Sequence, residues 1–165
     1  MLIWFAGLGA LGVWMVFRSP SLDYRLVAVG TVVPLVDGFS GGVWVGHTLV
    51  GSVTMLTVVI VGTRGRRLRR RRLIGVPIGT FVHLVLDGVW ASTETFWWPF
   101  FGVAFDTGLP ELDRPVALLV AMELAGVAAL AWCWQRFGLA EPGPRARFLR
   151  SGQLPRGAAG RAGGN

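Results

Sequence analysis

His83 and Asp87 stand four residues apart in the apolar stretch from Leu73 to Phe101, LIGVPIGTFVHLVLDGVWASTETFWWPFF. On a helix that spacing puts both side chains on one face, about one turn apart. An imidazole and a carboxylate held in apolar surroundings are costly unless they bind each other or a third partner. The other histidine, His47, follows Asp37 by ten positions, and Glu123 interrupts a later apolar run. Two imidazoles and two carboxylates, Asp37, His47, His83 and Asp87, form a reasonable ligand set for Zn²⁺, Mn²⁺ or Fe²⁺, with Zn²⁺ and Mn²⁺ foremost. Such an ion with an open position brings the pKa of water down to about 7 and so supplies a nucleophile. Glu123, or one of the Asp residues, then serves as general base or as an outer partner of a histidine.

The elements that must position these residues read as membrane helices. Apolar residues make up 53% of the chain and charged residues 15%, with a mean hydropathy of +0.56; soluble domains carry about 25% charged residues. Apolar runs predict an all-α, polytopic bundle of about five spans, at residues 2–17, 26–45, 47–63, 73–91 and 115–134. The second run breaks near Pro34 and Asp37. Gly7, Gly9 and Gly12 in the first run, and Gly75 and Gly79 in the fourth, leave room for a neighbouring helix. Residues 138–165 form a basic tail rich in Gly, Pro and Ala, disordered at its end. No basic segment precedes the first apolar run, so that run is expected to be a retained span rather than a signal peptide.

The net charge of +7 comes from sixteen arginines, seven of them between Arg64 and Arg72. Between apolar runs, such clusters report orientation rather than nucleic-acid binding. Placing that loop in the cytoplasm puts fifteen arginines inside and only Arg114 outside, with the N-terminus out and the C-terminus in. The loop then faces anionic lipid headgroups. In this topology Asp37, His47, His83, Asp87 and Glu123 all fall in the outer half of the bilayer, although they come from four spans. Their shared depth argues for one polar site. Cys133 is the single cysteine, which excludes a cysteine metal cluster and an intrachain disulfide.

The elements Pro34-Leu35-Val36-Asp37, Gly46-His47-Thr48-Leu49, Val82-His83-Leu84-Val85-Leu86-Asp87 and Trp98-Pro99-Phe100 occur in that order. Over about residues 33–101 the chain resembles the YdjM-like family of membrane-bound, metal-dependent hydrolases. That family carries Pro-Asp-x-Asp, Thr-His-Ser, His-x-x-x-Asp and Trp-Pro-Phe elements. The resemblance implies Asp37, His47, His83 and Asp87 as metal ligands. Leu35 stands where the motif has its first Asp, which points to one metal rather than two. The expected function is hydrolysis of a lipid-borne or envelope-associated ester or phosphoester at the cell membrane. The alternative is a non-enzymatic multi-pass protein whose His/Asp/Glu cluster is structural or relays protons. No serine-nucleophile, phosphate-loop or nucleotide-binding motif is present.

Overall fold

The computed structural model describes residues 1–40, 42, 44–104 and 114–154. Among these residues there are helices and no strands. The order is α1 (Leu2–Phe17), α2 (Tyr24–Val32), 3₁₀ turns at Val33–Ser40 and Val45–His47, α3 (Leu49–Gly62), α4 (Arg67–Leu73) and α5 (Gly75–Asp87). A further 3₁₀ turn at Val89–Ala91 leads to α6 (Thr93–Phe96), α7 (Val116–Arg136) and α8 (Pro142–Ser151). The acidic residues Asp106, Glu111 and Asp113, and the end of the tail from 155 on, lie outside the described residues.

The helical class stands, but the expectation of about five spans does not. Among the described residues, only α7 is long and apolar enough to cross a membrane, with 21 residues and a mean hydropathy of 2.1. At about 1.5 Å per residue it is about 31 Å long, against a hydrocarbon core of about 30 Å. The 16 residues of α1, the 14 of α3 and the 13 of α5 reach only about 24, 21 and 20 Å. α2 and α5 end for local reasons that summed hydropathy does not register. α2 gives way at Val33 to a 3₁₀ turn containing Pro34. α5 stops because Gly88 adopts a left-handed φ of 81° directly after Asp87. The multi-pass topology is therefore corrected to one candidate membrane helix. The N-out, C-in orientation and the placement of fifteen arginines inside fall with it. Only 17% of the apolar window of α7 is buried, so most of its apolar surface is not covered by the rest of the described chain.

α5 lies against α2 and α3, and α1 lies against α2 and α7. The α2–α5 contact is made backbone to backbone. A Cβ on Gly79 would collide with the Val27 carbonyl, and one on Gly30 with the Val76 carbonyl. Gly7 and Gly126 make the same close crossing between α1 and α7, where a Gly7 Cβ would sit 2.5 Å from the Gly126 carbonyl oxygen. Gly9 abuts Thr31, whereas Gly12 meets nothing within 4 Å.

The far end of the bundle is closed by the tail. Val13, Leu22, Tyr24, Val27, Phe137, Leu139 and Leu154 form one buried cluster there. The Tyr24 N–H donates to the Gly152 carbonyl at 2.9 Å, and Arg25 Nη1 donates to the Leu149 carbonyl at 2.6 Å. Asp23, 2% exposed, caps α2 by accepting the Arg25 N–H and is paired with the Arg25 guanidinium at 2.9 Å. That hydrogen bond raises the pKa of Arg25, because it favours the charged form.

Three outcomes follow. Gly79→Ala is expected to destabilise the fold by about 1–3 kcal/mol through overpacking, measured by chemical denaturation. Gly62→Ala, which meets nothing within 4 Å, is expected to be neutral or slightly stabilising. Burial pushes the phenol of Tyr24, the single tyrosine, up to about 12. The unfolded phenol ionises near 10, so the folded state holds this proton more tightly. Stability that is present below pH 10 is lost as pH rises from about 10 towards about 12. Tyr24→Phe should remove that loss, and absorbance titration of the phenolate reads the group directly.

Candidate metal centre

Pro34 sets the geometry of the site. It carries no N–H, so the carbonyl of Gly30 lacks its i+4 donor and that of Thr31 lacks a 3₁₀ donor at i+3. Both carbonyls are instead met from α5. Thr80 Oγ1 donates to the Gly30 carbonyl at 3.2 Å, and His83 Nδ1 lies 2.7 Å from the Thr31 carbonyl oxygen. A carbonyl only accepts, so Nδ1 bears the proton and Nε2 presents its lone pair. The His83 ring is fully buried and stacked on Phe5, with centroids 4.0 Å apart.

His47 arrives from the opposite side, on the 3₁₀ turn Val45–His47 just before α3. Thr48 fixes that junction as the N-cap of α3. Its side chain accepts the Gly51 N–H at 2.9 Å and donates to the Val45 carbonyl at 2.9 Å. His47 is also fully buried. Its Nδ1 is 3.0 Å from Asp37 Oδ2, which in addition accepts the Trp44 N–H at 3.2 Å. The carboxylate holds the Nδ1 proton, so the lone pair of the neutral His47 ring is again on Nε2. The two imidazoles meet edge to face at 5.2 Å between centroids.

Asp87 closes the group as the last residue of α5. A carboxylate there faces the negative end of the helix dipole, a position that costs about 0.3–1 kcal/mol without a compensating cation. Arg114 supplies one. Its Nη2 donates to Asp87 Oδ1 at 3.0 Å and to the Asp87 carbonyl at 2.7 Å, capping α5.

His47, His83 and Asp87 each offer one ligand atom, and these atoms all lie within 4.8 Å of one another. Bonds to one zinc ion are about 2.0–2.2 Å long, so these atoms would have to draw closer to share it. Two imidazoles and one carboxylate hold zinc in hydrolytic centres and Fe(II) in oxygenases, with a position left open in both. The donor chemistry therefore fits a divalent transition metal.

The five residues expected to share one site are divided by the structure. His47, His83 and Asp87 converge. Asp37 stands behind His47 and orients its ring, the carboxylate–histidine arrangement that raises ligand basicity. Glu123 has different partners: Oε1 pairs with the Met1 amino group at 2.6 Å, and Oε2 accepts the N–H groups of Ile3 and Trp4 at 3.0 and 3.3 Å. It thereby satisfies N–H groups left open at the start of α1. Arg114 was missed as a site residue. Its sequence signal was weak: it was the single arginine left outside by the charge count.

Asp37→Asn is expected to weaken zinc binding about 10- to 100-fold, measured by competition with a chelating indicator. Glu123→Gln should leave that affinity within about twofold while lowering stability through the α1–α7 contact. Comparison with models of known protein families, with curated proteins and with solved structures gives no match, so the chain's own residues carry its functional reading.

Proposed function

We propose that His47, His83 and Asp87 hold a single divalent metal, Zn²⁺ or Mn²⁺, in a hydrolytic centre acting on an ester or phosphoester. The observation that carries this reading is the convergence of two fully buried imidazoles and a buried carboxylate within 4.8 Å. The resemblance of residues 33–101 to YdjM-like hydrolases rests on the same residues and agrees with this reading. Each side chain has a defined part. Asp37 and the Thr31 carbonyl hold protons on the Nδ1 atoms of the two histidines, so that both Nε2 lone pairs face the site. Phe5 covers one face of His83 and excludes water from it. The bound ion would contribute Lewis acidity and ionise water near neutral pH.

In the same reading, α7 anchors the chain in the cell membrane, and the substrate is a lipid or an envelope-associated ester. The basic helix α4 bears exposed arginines with no acid among them, a charge pattern suited to anionic headgroups.

Elemental analysis of the purified protein tests the proposal. Wild type should contain close to one transition metal per chain, and His83→Ala should lose it. Hydrolysis of bis(p-nitrophenyl) phosphate should stop on chelation and return with Zn²⁺ or Mn²⁺. If wild type stays metal-free after purification with both ions, the cluster is a packing network between α2, α3 and α5.

A further inference from the structure

We propose that Arg114 is the anion-holding residue of this site, and that the ligand it takes beside the metal carries a phosphate group. The inference rests on the metal reading and narrows its substrate to a phosphoester.

Arg114 borders the ligand group directly, with Nη2 3.0 Å from Asp87 Oδ1. Only part of its guanidinium is used well. Nη2 serves the Asp87 carboxylate and carbonyl, whereas Nη1 faces the sulfurs of Met1 and Met122 at 3.9 and 3.8 Å. Thioether sulfur is a weak acceptor. An oxyanion in its place would form charge-assisted hydrogen bonds matched to the planar fork.

Exposure points the same way. The Arg114 side chain is 21% exposed, while His47 is fully buried. The Arg114 side chain is therefore partly exposed while it touches the buried Asp87. Charge gives the preference for an anion. Among the described residues, the carboxylates of Asp37 and Asp87 would balance a divalent ion, and Arg114 would leave one positive charge in excess. A neutral carboxylic ester leaves that charge uncompensated, and a phosphoester answers it. Arg25 and Arg72, by contrast, are tied to Asp23 at the N-terminal end of α2.

The test is calorimetric titration of inorganic phosphate into protein loaded with one equivalent of zinc and freed of excess, and into metal-free protein. Wild type, Arg114→Gln and Arg114→Lys are compared, with zinc content and thermal stability measured for each. Arg114→Gln should keep its zinc and weaken phosphate binding at least about tenfold, the effect of one lost charge-assisted hydrogen bond. Arg114→Lys should fall between, keeping the charge and losing the fork. Unchanged phosphate affinity in Arg114→Gln overturns the proposal and reduces Arg114 to a cap on α5. Should Arg114→Gln fail to fold, wild-type affinity in Arg114→Lys overturns the role of the fork. Arg114-dependent phosphate binding without any zinc uptake would retain the anion site and overturn the metal reading. Absence of phosphate binding in every form overturns the anion site alone.

Discussion

The backbone contact between α2 and α5 is the constraint on which the rest of the structure depends. Gly30 and Gly79 allow the two helices to approach until a Cβ on either would strike the other's carbonyl. At that separation the α5 side chains can reach the Gly30 and Thr31 carbonyls, each of which loses one backbone donor to Pro34. Thr80 takes one and His83 takes the other. The helix contact therefore also fixes the tautomer of a histidine. A wider crossing would return His83 to an ordinary buried position with either nitrogen protonated.

Around that fixed ring, the site is assembled from helix ends. His47 precedes the N-cap of α3, Asp87 ends α5, and Arg114 lies just before α7. Helix termini carry backbone groups without intrahelical partners, and here Thr48 and Arg114 satisfy them. The same residues that close the helices thus hold the histidines and the carboxylate in register. At the other end of α2, Asp23, Arg25 and the Gly152 carbonyl perform the closing role without any imidazole nearby. The chain is polarised, with the His47, His83 and Asp87 cluster at one end of α2 and Arg25 and Arg72 at the other.

Part of this was legible in the sequence. The apolar runs identify helices, and the i,i+4 spacing of His83 and Asp87 identifies one face. Gly75 and Gly79 signal a close neighbour. Span number was not legible, because hydropathy is summed over windows while helices end at single residues such as Val33 and Gly88. The division of labour within the site was also hidden. Asp37 and His47 were equivalent candidates until the 3₁₀ turns placed the carboxylate behind the ring. Glu123 meets the Met1 amino group across 122 positions, and no local pattern encodes that contact. Arg114 reaches Asp87 across a stretch with no periodic signal, so only the fold brings them together.

The central claim is that His47 and His83 both direct Nε2 at one metal ion beside Asp87. X-ray absorption at the zinc edge, on protein carrying one equivalent of zinc, tests it most directly. The account predicts two imidazole ligands with oxygen completing the shell, at about 2.0–2.2 Å, and one imidazole fewer in His47→Ala. A shell of oxygen alone, or a wild-type spectrum unchanged in His47→Ala, would contradict it.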